Sequence, residues 1–524
     1  MHLSRYKRRR FSASRRFTNR EEPLLLFKQA VLEYLGHADN LRVMVFYGKG
    51  GVGKSRLIGE LEASAVIQAN HDRLKLFRID LDIPAARDAV SMLIYLRRLM
   101  PPSCALFDYA LIKYWNAVRP EQLNMDFMSF LKDSIIVRSI EGIASVTGLG
   151  VPLSVTTEWI NKINSYLNKR SYTKEEFQEI DRISNSSKEL FDRLPYYLGL
   201  EVGRLLDSGE QNYIFLFDGY EKHYSDNNLS ESEWLRELIA AADAGLFVIT
   251  CRERIRWEKL NSQWSTILDQ HLLEELSQKD SLDFLKSVPV EEEDVIEAII
   301  SSSKGLPIYL DVFSDIYEFK KQTGERISAK DFLLSEAQII ESFLSHLPKN
   351  EQNALRILTI SRLFNQELFE HLAKSLNIDF PVTNFSQLIE STLIEEFEGV
   401  SGLYKIHDVV FEQAIKATDK DVAERIVTTS LEFIALRGAF LLGVADLFAL
   451  FVSHARTAAI HGIESKKIRE HLLDIGHILY EYGIWIDIYN TLGKIYVTSD
   501  DLRYAFEYLR GLCLRKFRII GDSL

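Results

Sequence analysis

The sequence predicts a multidomain chain in which an α/β domain with a parallel sheet is followed by domains that are mainly helical. A hydrophobic run at 43–47 leads into a glycine-rich segment and then a helix-compatible one. Two further apolar runs, at 213–218 and 245–252, have the length and composition of parallel strands that are buried on both faces. After residue 290 the hydrophobic patterns are mainly helical. These observations favour a parallel sheet followed by helical segments, which the later motifs divide into a helical lid, a winged helix and repeat-like helices.

The composition supports packed cores rather than disorder, since 46% of the 524 residues are hydrophobic and 11% are aromatic. The formal charge is −12, but residues 1–20 carry eight Lys or Arg side chains and no acid. Subtracting these eight positive charges leaves −20 for the other residues. Such an acidic body argues against a broad nucleic-acid-binding surface, so we regard nucleic acid as a possible but not a favoured partner.

Cellular location can also be predicted from the sequence. The three cysteines, Cys104, Cys251 and Cys513, are scattered without C-x-x-C spacing, which suggests a reducing compartment and no metal cluster. The most apolar stretches, around 142–155 and 439–452, are about fourteen residues long, too short to span a bilayer. The basic start is not followed by the apolar core of a secretory signal. We therefore expect a cytoplasmic protein without a membrane partner.

Residues 1–16 are predicted to be a flexible basic tail. The functional interpretation is an arm that binds phosphates of nucleic acid or anionic lipid, and the favoured alternative is a solvated tail. The segment also resembles an organellar transit peptide but lacks a convincing amphipathic helix. A helix is predicted over 24–35, and Arg20, just upstream of it, is a candidate for contact with a nucleotide.

The segment 48–55, GKGGVGKS, matches the pattern G-x-x-x-x-G-K-[ST] between a strand and a helix. Its glycines let backbone N–H groups surround a phosphate, and the following helix directs its positive end at the same anion. Lys54 should reach the β- and γ-phosphates, and the Ser55 hydroxyl should bind Mg²⁺. ATP or ADP with Mg²⁺ is thus the expected cofactor. The residues expected to bind it here are Gly48, Gly50, Gly51, Val52, Gly53, Lys54, Ser55 and Arg56.

Charged residues follow two of the predicted strands. Asp218 ends the run 213–218 and is expected to hold Mg²⁺, while Glu221 could position or deprotonate the attacking water. Arg252 ends the run 245–252 and is expected near the γ-phosphate, where it could report which nucleotide is bound. A buried strand that ends in Asp is common on its own, and the alternative for Arg252 is an ordinary surface arginine. The phosphate-binding segment strengthens the interpretation of Asp218.

These features lie in a predicted P-loop NTPase domain over 17–290, which also has a strand over 74–81. A largely helical insertion over about 104–210 would be a lid or a spacer. Residues 271–286 are predicted to form an amphipathic helix pair. A helical lid segment over 291–336 carries the sequence GLPI, in which Gly305 ends one helix and Pro307 opens the next.

The segment 337–416 has the pattern of a winged-helix domain, with four helices followed by two short strands. A winged helix can bind DNA, but this one lacks a basic recognition helix. Residues 417–524 are predicted to be a helical sensor region. Six of them fall at the spacing of one tetratricopeptide repeat, namely Tyr489, Leu492, Gly493, Tyr496, Ala505 and Leu509. Because such arrays need about three units, we expect a truncated array or one completed by a partner.

The order of these motifs resembles the STAND class of P-loop NTPases, which contains NB-ARC, AP-ATPase and NACHT proteins. The resemblance covers 17–416 and is carried by FTNRE at 17–21, GKGGVGKS at 48–55, YIFLFDGYE at 213–221, FVITCR at 247–252, GLPIYL at 305–310 and KIHD at 405–408. It implies that Pro307 packs by the adenine, that Arg252 is a sensor, and that His407 touches the β-phosphate of ADP and locks a closed form. Two departures are the single acid after Asp218-Gly219, where NACHT members carry two, and the length of the insertion.

The resemblance implies a signalling switch. ADP would lock the resting state, a ligand or protein sensed by the C-terminal helices would permit exchange, and the ATP-bound form would expose surfaces for self-oligomerisation. Slow ATP hydrolysis, with Lys54, Asp218, Glu221 and Arg252 as catalytic candidates, would reset the switch. One alternative is a transcription regulator or an origin-type DNA-binding ATPase that uses the basic arm and the winged helix. Another is a scaffold that binds nucleotide without hydrolysing it.

Overall fold

A computed structural model describes most of the chain. The described residues are 20–36, 41–81, 89–100, 104–118, 172–207, 212–222, 233–286, 288, 290–397, 402–441, 443–482, 485–493 and 495–522. The predicted basic tail at 1–16 and residues 119–171 of the predicted insertion lie outside these ranges.

The core of the nucleotide-binding region is a parallel sheet of five strands. They are β1 (Leu41–Tyr47), β2 (Leu74–Asp80), β3 (Asn212–Asp218), β4 (Gly245–Cys251) and β5 (Leu268–Leu272). Their order in the sheet is β2-β3-β4-β1-β5. The last residue of β1 pairs with the last residue of β4, so the carboxyl ends of the central strands meet at one edge. The predicted parallel sheet is confirmed, and ligands bind at this edge in open α/β sheets.

The fifth strand corrects the predicted helix pair at 271–286. Residues 271 and 272 belong to β5, and only Gln278–Leu285 is helical in that span. β5 lies at the end of the sheet, where it pairs with β1 alone, and its residues are half-buried or exposed. An edge strand of this kind has neither a long apolar run nor a strict alternation, so its sequence lacks the signal that predicted the central strands.

Helices cover both faces of the sheet. α1 packs on one face through four buried side chains at helical spacing, Phe27, Ala30, Val31 and Tyr34. The predicted insertion contributes helices that pack together on the other face. Among the described residues of this region, the helices are α1 (Glu21–Gly36), α2 (Lys54–Glu62), α3 (Ala65–Gln68), α4 (Ala89–Leu99), α5 (Ala105–Val118), α6 (Lys174–Ile183), α7 (Ser187–Asp207), α8 (Glu233–Ala242), α9 (Trp264–Ile267) and α10 (Gln278–Leu285).

Two helices and a winged helix follow the sheet domain. A three-stranded antiparallel sheet, ordered β6-β8-β7, packs with its helices in the predicted winged-helix arrangement. Its strands are β6 (Leu363–Asn365), β7 (Ile394–Glu396) and β8 (Leu403–Ile406). The helices here are α11 (Glu293–Ser303), α12 (Pro307–Thr323), α13 (Glu336–Ser345), α14 (Lys349–Ser361), α15 (Gln366–Ser375), α16 (Phe385–Leu388) and α17 (Asp408–Ala417).

The C-terminal region is an array of helices in which neighbours pack against one another. They are α18 (Lys420–Leu441), α19 (Val444–Ile460), α20 (Lys466–Glu481), α21 (Trp485–Gly493) and α22 (Asp500–Asp522). Of the residues at repeat spacing, Leu492, Ala505 and Leu509 are buried, whereas Tyr496 lies after α21 and is 85% exposed. The array joins the winged helix where α18 and α19 contact α14. Within the described part of the chain, every helix is too short or too polar to cross a membrane.

Candidate nucleotide site

The loop at 48–53 has the geometry of a phosphate-binding loop. It leaves the carboxyl end of β1 and turns into α2, with Gly53 as the residue before the helix. Gly51 and Gly53 have φ values of 82° and 91°, in the left-handed region that favours glycine. A Cβ on Gly48 would lie closer than 3.0 Å to the carbonyl oxygen of Leu273. The three glycines are therefore required by backbone conformation or by close approach.

Lys54 is placed to bind an anion inside this loop. Its side chain is buried, and Nζ donates to the carbonyl oxygens of Gly48 at 2.8 Å and Lys49 at 2.9 Å. Burial lowers the pKa of Lys54, and the nearby charge of Glu221 acts in the opposite direction. An ammonium has three hydrogens, so two carbonyl acceptors leave one donor for a phosphate. Ser55 and Arg56 are exposed on the first turn of α2.

The segment 273–276, which follows β5, braces the loop from outside; we call it the bracing segment. The amide of Leu273 donates to Tyr47 at 2.7 Å. Lys49 forms an ion pair with Glu275 at 2.6 Å. The buried guanidinium of Arg20 donates to the carbonyl oxygens of Val52 at 2.9 Å and Glu274 at 3.0 Å. Burial lowers the pKa of Arg20. These contacts place Arg20 against the backbone of the loop.

Asp218 lies buried at the carboxyl edge of the sheet, next to the loop. The hydroxyl of Thr250 donates to Asp218 Oδ1 and accepts from the amide of Gly219 at 3.0 Å. Thr250 was not singled out from the sequence, although a hydroxyl near the end of β4 could have suggested a partner for Asp218. No group of three or more acidic, His or Cys side chains able to hold a metal occurs among the described residues. Asp218 with Ser55 would instead fit Mg²⁺, which keeps water and phosphate oxygens as most of its ligands.

Arg252 connects the sheet edge to the winged helix. Its Nε lies 3.3 Å from Glu221 Oε1, while its terminal nitrogens lie 3.1 Å from Asp408 Oδ2 and 3.3 Å from Glu412 Oε1. Burial lowers the pKa of Arg252, but Asp408, Glu221 and Glu412 together raise it above the ordinary value. We call Arg252, Asp408 and Glu412 the arginine clamp. The two acids of α17 were not predicted as site residues, although Asp408 belongs to the KIHD motif.

The first turn of α17 covers the phosphate loop. A Cβ on Gly51 would lie 3.1 Å from Cγ2 of Val409. His407 precedes this turn, where its Nδ1 accepts from the amide of Val409 at 3.4 Å and its Nε2 lies 3.3 Å from Glu395 Oε1. The described contacts of the His407 ring are therefore inside the winged helix. Its predicted role at the β-phosphate of ADP stays a prediction.

The GLPI turn covers the same loop from another side. Pro307 is the first residue of α12, and the following Ile308 lies 3.4 Å from the Cβ position of Gly51. Gly305 has a φ of 73°, and a Cβ there would lie closer than 3.0 Å to the carbonyl oxygen of Leu276. The amide of Leu276 donates back to Gly305 at 2.9 Å. The bracing segment thus fixes the GLPI turn as well as the phosphate loop.

No family model matches the sequence, and no curated protein matches it. Among solved structures, the chain is similar to a STAND protein with a tetratricopeptide repeat sensor from Pyrococcus horikoshii, with 13% identity and a TM-score of 0.47. That match covers 96% of this chain but only 58% of the other. A second similar structure is the ORC1 protein of Aeropyrum pernix in complex with DNA, with 13% identity, a TM-score of 0.33 and coverage of 79% and 92%. At these values the likeness is one of coarse architecture.

The strand, loop and helix at 41–62, together with a parallel sheet that carries Asp218 at its carboxyl edge, give the chain a P-loop NTPase fold. The elements that follow are the GLPI helix, the winged helix and the helical array. They stand in the order that the resemblance to the STAND class implies.

Proposed function

We propose that the chain is an ATP- and ADP-dependent signalling switch of the STAND type. In its closed arrangement, the winged helix lies over the phosphate loop. The observation that carries the proposal is the arginine clamp. It joins Arg252, which directly follows β4, to two carboxylates of α17, and α17 lies directly over the phosphate loop. A winged helix held in this way would sense whatever changes the surroundings of Arg252.

The clamp offers a physical reason for ATP and ADP to have different effects. Carboxylates and phosphates compete for the same guanidinium donors. A γ-phosphate near Arg252 would compete with Asp408 and Glu412, whereas ADP has no γ-phosphate. A ligand shifts a conformational equilibrium only through its different affinity for the two states. ATP would therefore favour release of α17, and ADP would leave the clamp intact.

The chemistry at the phosphates would be carried by residues already at the sheet edge. The loop amides and Lys54 would bind the phosphate oxygens, and Ser55 and Asp218 would hold Mg²⁺, which neutralises charge on them. Glu221 would orient water, but in the closed arrangement it lies 3.3 Å from Nε of Arg252. A carboxylate oxygen in contact with a guanidinium is less available to accept a hydrogen bond from water. Slow hydrolysis that resets the switch is consistent with this contact.

We propose the C-terminal array as the sensor, because α18 and α19 contact α14 of the winged helix. A ligand that moves the array would act on the clamp through the winged helix. Release of the clamp would expose the surfaces of α12 and α17 that now cover the loop. Those surfaces would then be available for self-oligomerisation.

The proposal is tested by denaturing the freshly purified protein and identifying the released nucleotide by chromatography. We expect nearly one ADP per chain, and none from a Lys54→Ala variant prepared in the same way. An empty site that binds added ATP only weakly would contradict the ADP-locked switch. If self-oligomerisation of the Lys54→Ala variant is unchanged, the result would instead favour a scaffold that binds nucleotide without hydrolysing it.

A further inference from the structure

A buried histidine joins the C-terminal array to the winged helix. His454 of α19 is fully buried, with Nδ1 at 2.8 Å from the carbonyl oxygen of Leu450 and Nε2 at 3.1 Å from Oγ of Ser361. A carbonyl can only accept, so Nδ1 carries the hydrogen and Nε2 accepts from the Ser361 hydroxyl. Burial lowers the pKa of His454 to about 4, which is consistent with this neutral ring. Ser361 is itself buried and is the last residue of α14.

The next residue, Arg362, has an unfavourable backbone conformation. Its φ of 61° and ψ of −53° lie outside the regions that residues with a side chain normally adopt. Such conformations are strained and persist only where surrounding contacts impose them. The amide of Arg362 donates to the carbonyl oxygen of Leu358 at 2.8 Å, and two further contacts fix the residue. The carbonyl oxygen of Arg362 accepts from the amide of Ile406 at 2.8 Å, and its guanidinium lies 2.7 Å from Asp408 Oδ1.

Asp408 thus lies between two arginines, with one oxygen facing Arg362 and the other facing Arg252. The stack of Arg362 over the ring of Phe411, 4.7 Å from its centroid, holds the guanidinium against α17. The contacts therefore run without interruption from α19 to the phosphate loop.

We propose that His454, Ser361 and Arg362 form a relay through which the helical array controls the arginine clamp. The inference rests on the proposed function, since it concerns regulation of the same site. A shift of α19 removes the nearer acceptor of the Ser361 hydroxyl, leaves it the carbonyl oxygen of Leu363 at 3.4 Å, and frees the end of α14. Arg362 can then relax to an ordinary backbone conformation, which moves its guanidinium away from Asp408. The Asp408 carboxylate then loses one of the two arginines that fix its position, and its ion pair with Arg252 weakens.

The test compares Ser361→Ala with Ser430→Ala. Both remove a fully buried hydroxyl, but Ser430 donates to Ile426 within α18, outside the relay. Hydrogen–deuterium exchange of the full chain should rise at residues 408–413 in Ser361→Ala and stay unchanged there in Ser430→Ala. Release of the fluorescent probe N-methylanthraniloyl-ADP should be about 3- to 10-fold faster in Ser361→Ala only, the scale of one lost buried hydrogen bond. In an Asp408→Asn background, Ser361→Ala should add no further acceleration, because the two residues act in series.

A second variant covers the case in which Ser361→Ala folds poorly. Arg362→Gly adopts the same φ without strain but lacks the guanidinium, so it should fold and still show the faster exchange at 408–413. The relay is overturned if Ser361→Ala behaves like Ser430→Ala, or if its effect adds in full to that of Asp408→Asn. Failure of the proposed function gives a different result. The probe then does not bind, while the exchange at 408–413 still reports whether the relay exists.

Discussion

At the scale of single residues, the nucleotide site is a set of charges whose surroundings differ. Lys54 is buried and hydrogen-bonded to loop carbonyls, whereas Lys49 of the same loop is exposed and paired with Glu275. Only the buried ammonium points into the turn that a phosphate would fill. A comparison of Lys54 with Lys49 therefore separates the effect of a buried charge inside the loop from the effect of the net charge of the loop.

The first prediction concerns this pair. Lys54→Ala should lose binding of N-methylanthraniloyl-ADP by at least about 100-fold, because a buried charge-assisted contact with phosphate is removed. Lys49→Ala should retain binding within about threefold, since its ammonium is solvated. Fluorescence titration at fixed salt measures both. Equal losses in the two variants would mean that the loop attracts the nucleotide only through its net charge.

A second prediction at this scale concerns Glu201, which is fully buried and accepts from the amide of Leu106 at 2.6 Å and from the Tyr172 hydroxyl at 2.7 Å. Burial raises the pKa of Glu201 from 4.5 to about 7. Between those values the folded state holds a proton that the unfolded state has lost, so stability falls as pH rises from about 4.5 to 7 and is then flat. The loss amounts to roughly 3 kcal/mol. Urea unfolding at several pH values should show that the unfolding free energy of Glu201→Gln lacks this decrease between about pH 4.5 and 7. The same pH dependence in the wild-type protein and in Glu201→Gln would contradict the raised pKa of Glu201.

At the scale of elements, the central strands could be predicted and the edge strand could not. β1, β3 and β4 are buried on both faces, which produces continuous apolar runs in the sequence. β5 is held by its pairing with β1, and its residues Asp269, Gln270 and His271 carry no strand signal. The helical spacing of the leucines that follow favoured a helix instead.

The same reasoning separates the predictable part of the site from the rest. Lys54, Asp218 and Arg252 were expected together because the carboxyl ends of parallel strands share one edge, and the structure brings them there. The ion pair between Arg252 and Asp408 joins residues 156 positions apart. Such a contact depends on how the winged helix packs against the sheet, which no local pattern encodes. For His407, the motif gave a position in the chain but not the direction of its ring toward Glu395.

The third prediction tests how the GLPI turn is fixed to the bracing segment. Gly305 and Gly324 both have left-handed φ values, 73° and 71°, but only Gly305 lies against backbone, whereas a Cβ on Gly324 would meet nothing within 4 Å. Gly324→Ala should therefore cost only about 1 kcal/mol of stability for the strained conformation. Gly305→Ala should cost at least about 2 kcal/mol more, because the turn must move away from Leu276. Urea unfolding measures both variants, and equal costs would show that the turn has room to adjust.

At the scale of the whole molecule, ion pairs connect the sheet domain to the winged helix at the edge where the nucleotide would bind. The side chains of Arg252 and Asp408 are 35% and 22% exposed, so water screens part of their attraction. A contact of this kind contributes up to about 1 kcal/mol, which is enough to shift a closed population but not to make the closed state permanent. A switch requires an ion pair of such modest free energy, because a γ-phosphate must be able to replace the carboxylates at Arg252.

The last prediction follows from that balance. Asp408→Asn keeps a polar side chain at the first position of α17 but removes the charge that both Arg252 and Arg362 contact. We expect the winged helix and the array to separate from the sheet domain, so the radius of gyration from small-angle X-ray scattering should increase. Glu412→Gln is the graded control, because Glu412 contacts Arg252 alone at the clamp and is 53% exposed, so its effect should be smaller. An unchanged radius in Asp408→Asn together with expansion in His407→Ala would place the latch at the histidine. Expansion in Asp408→Asn alone would place it at the carboxylate between the two arginines.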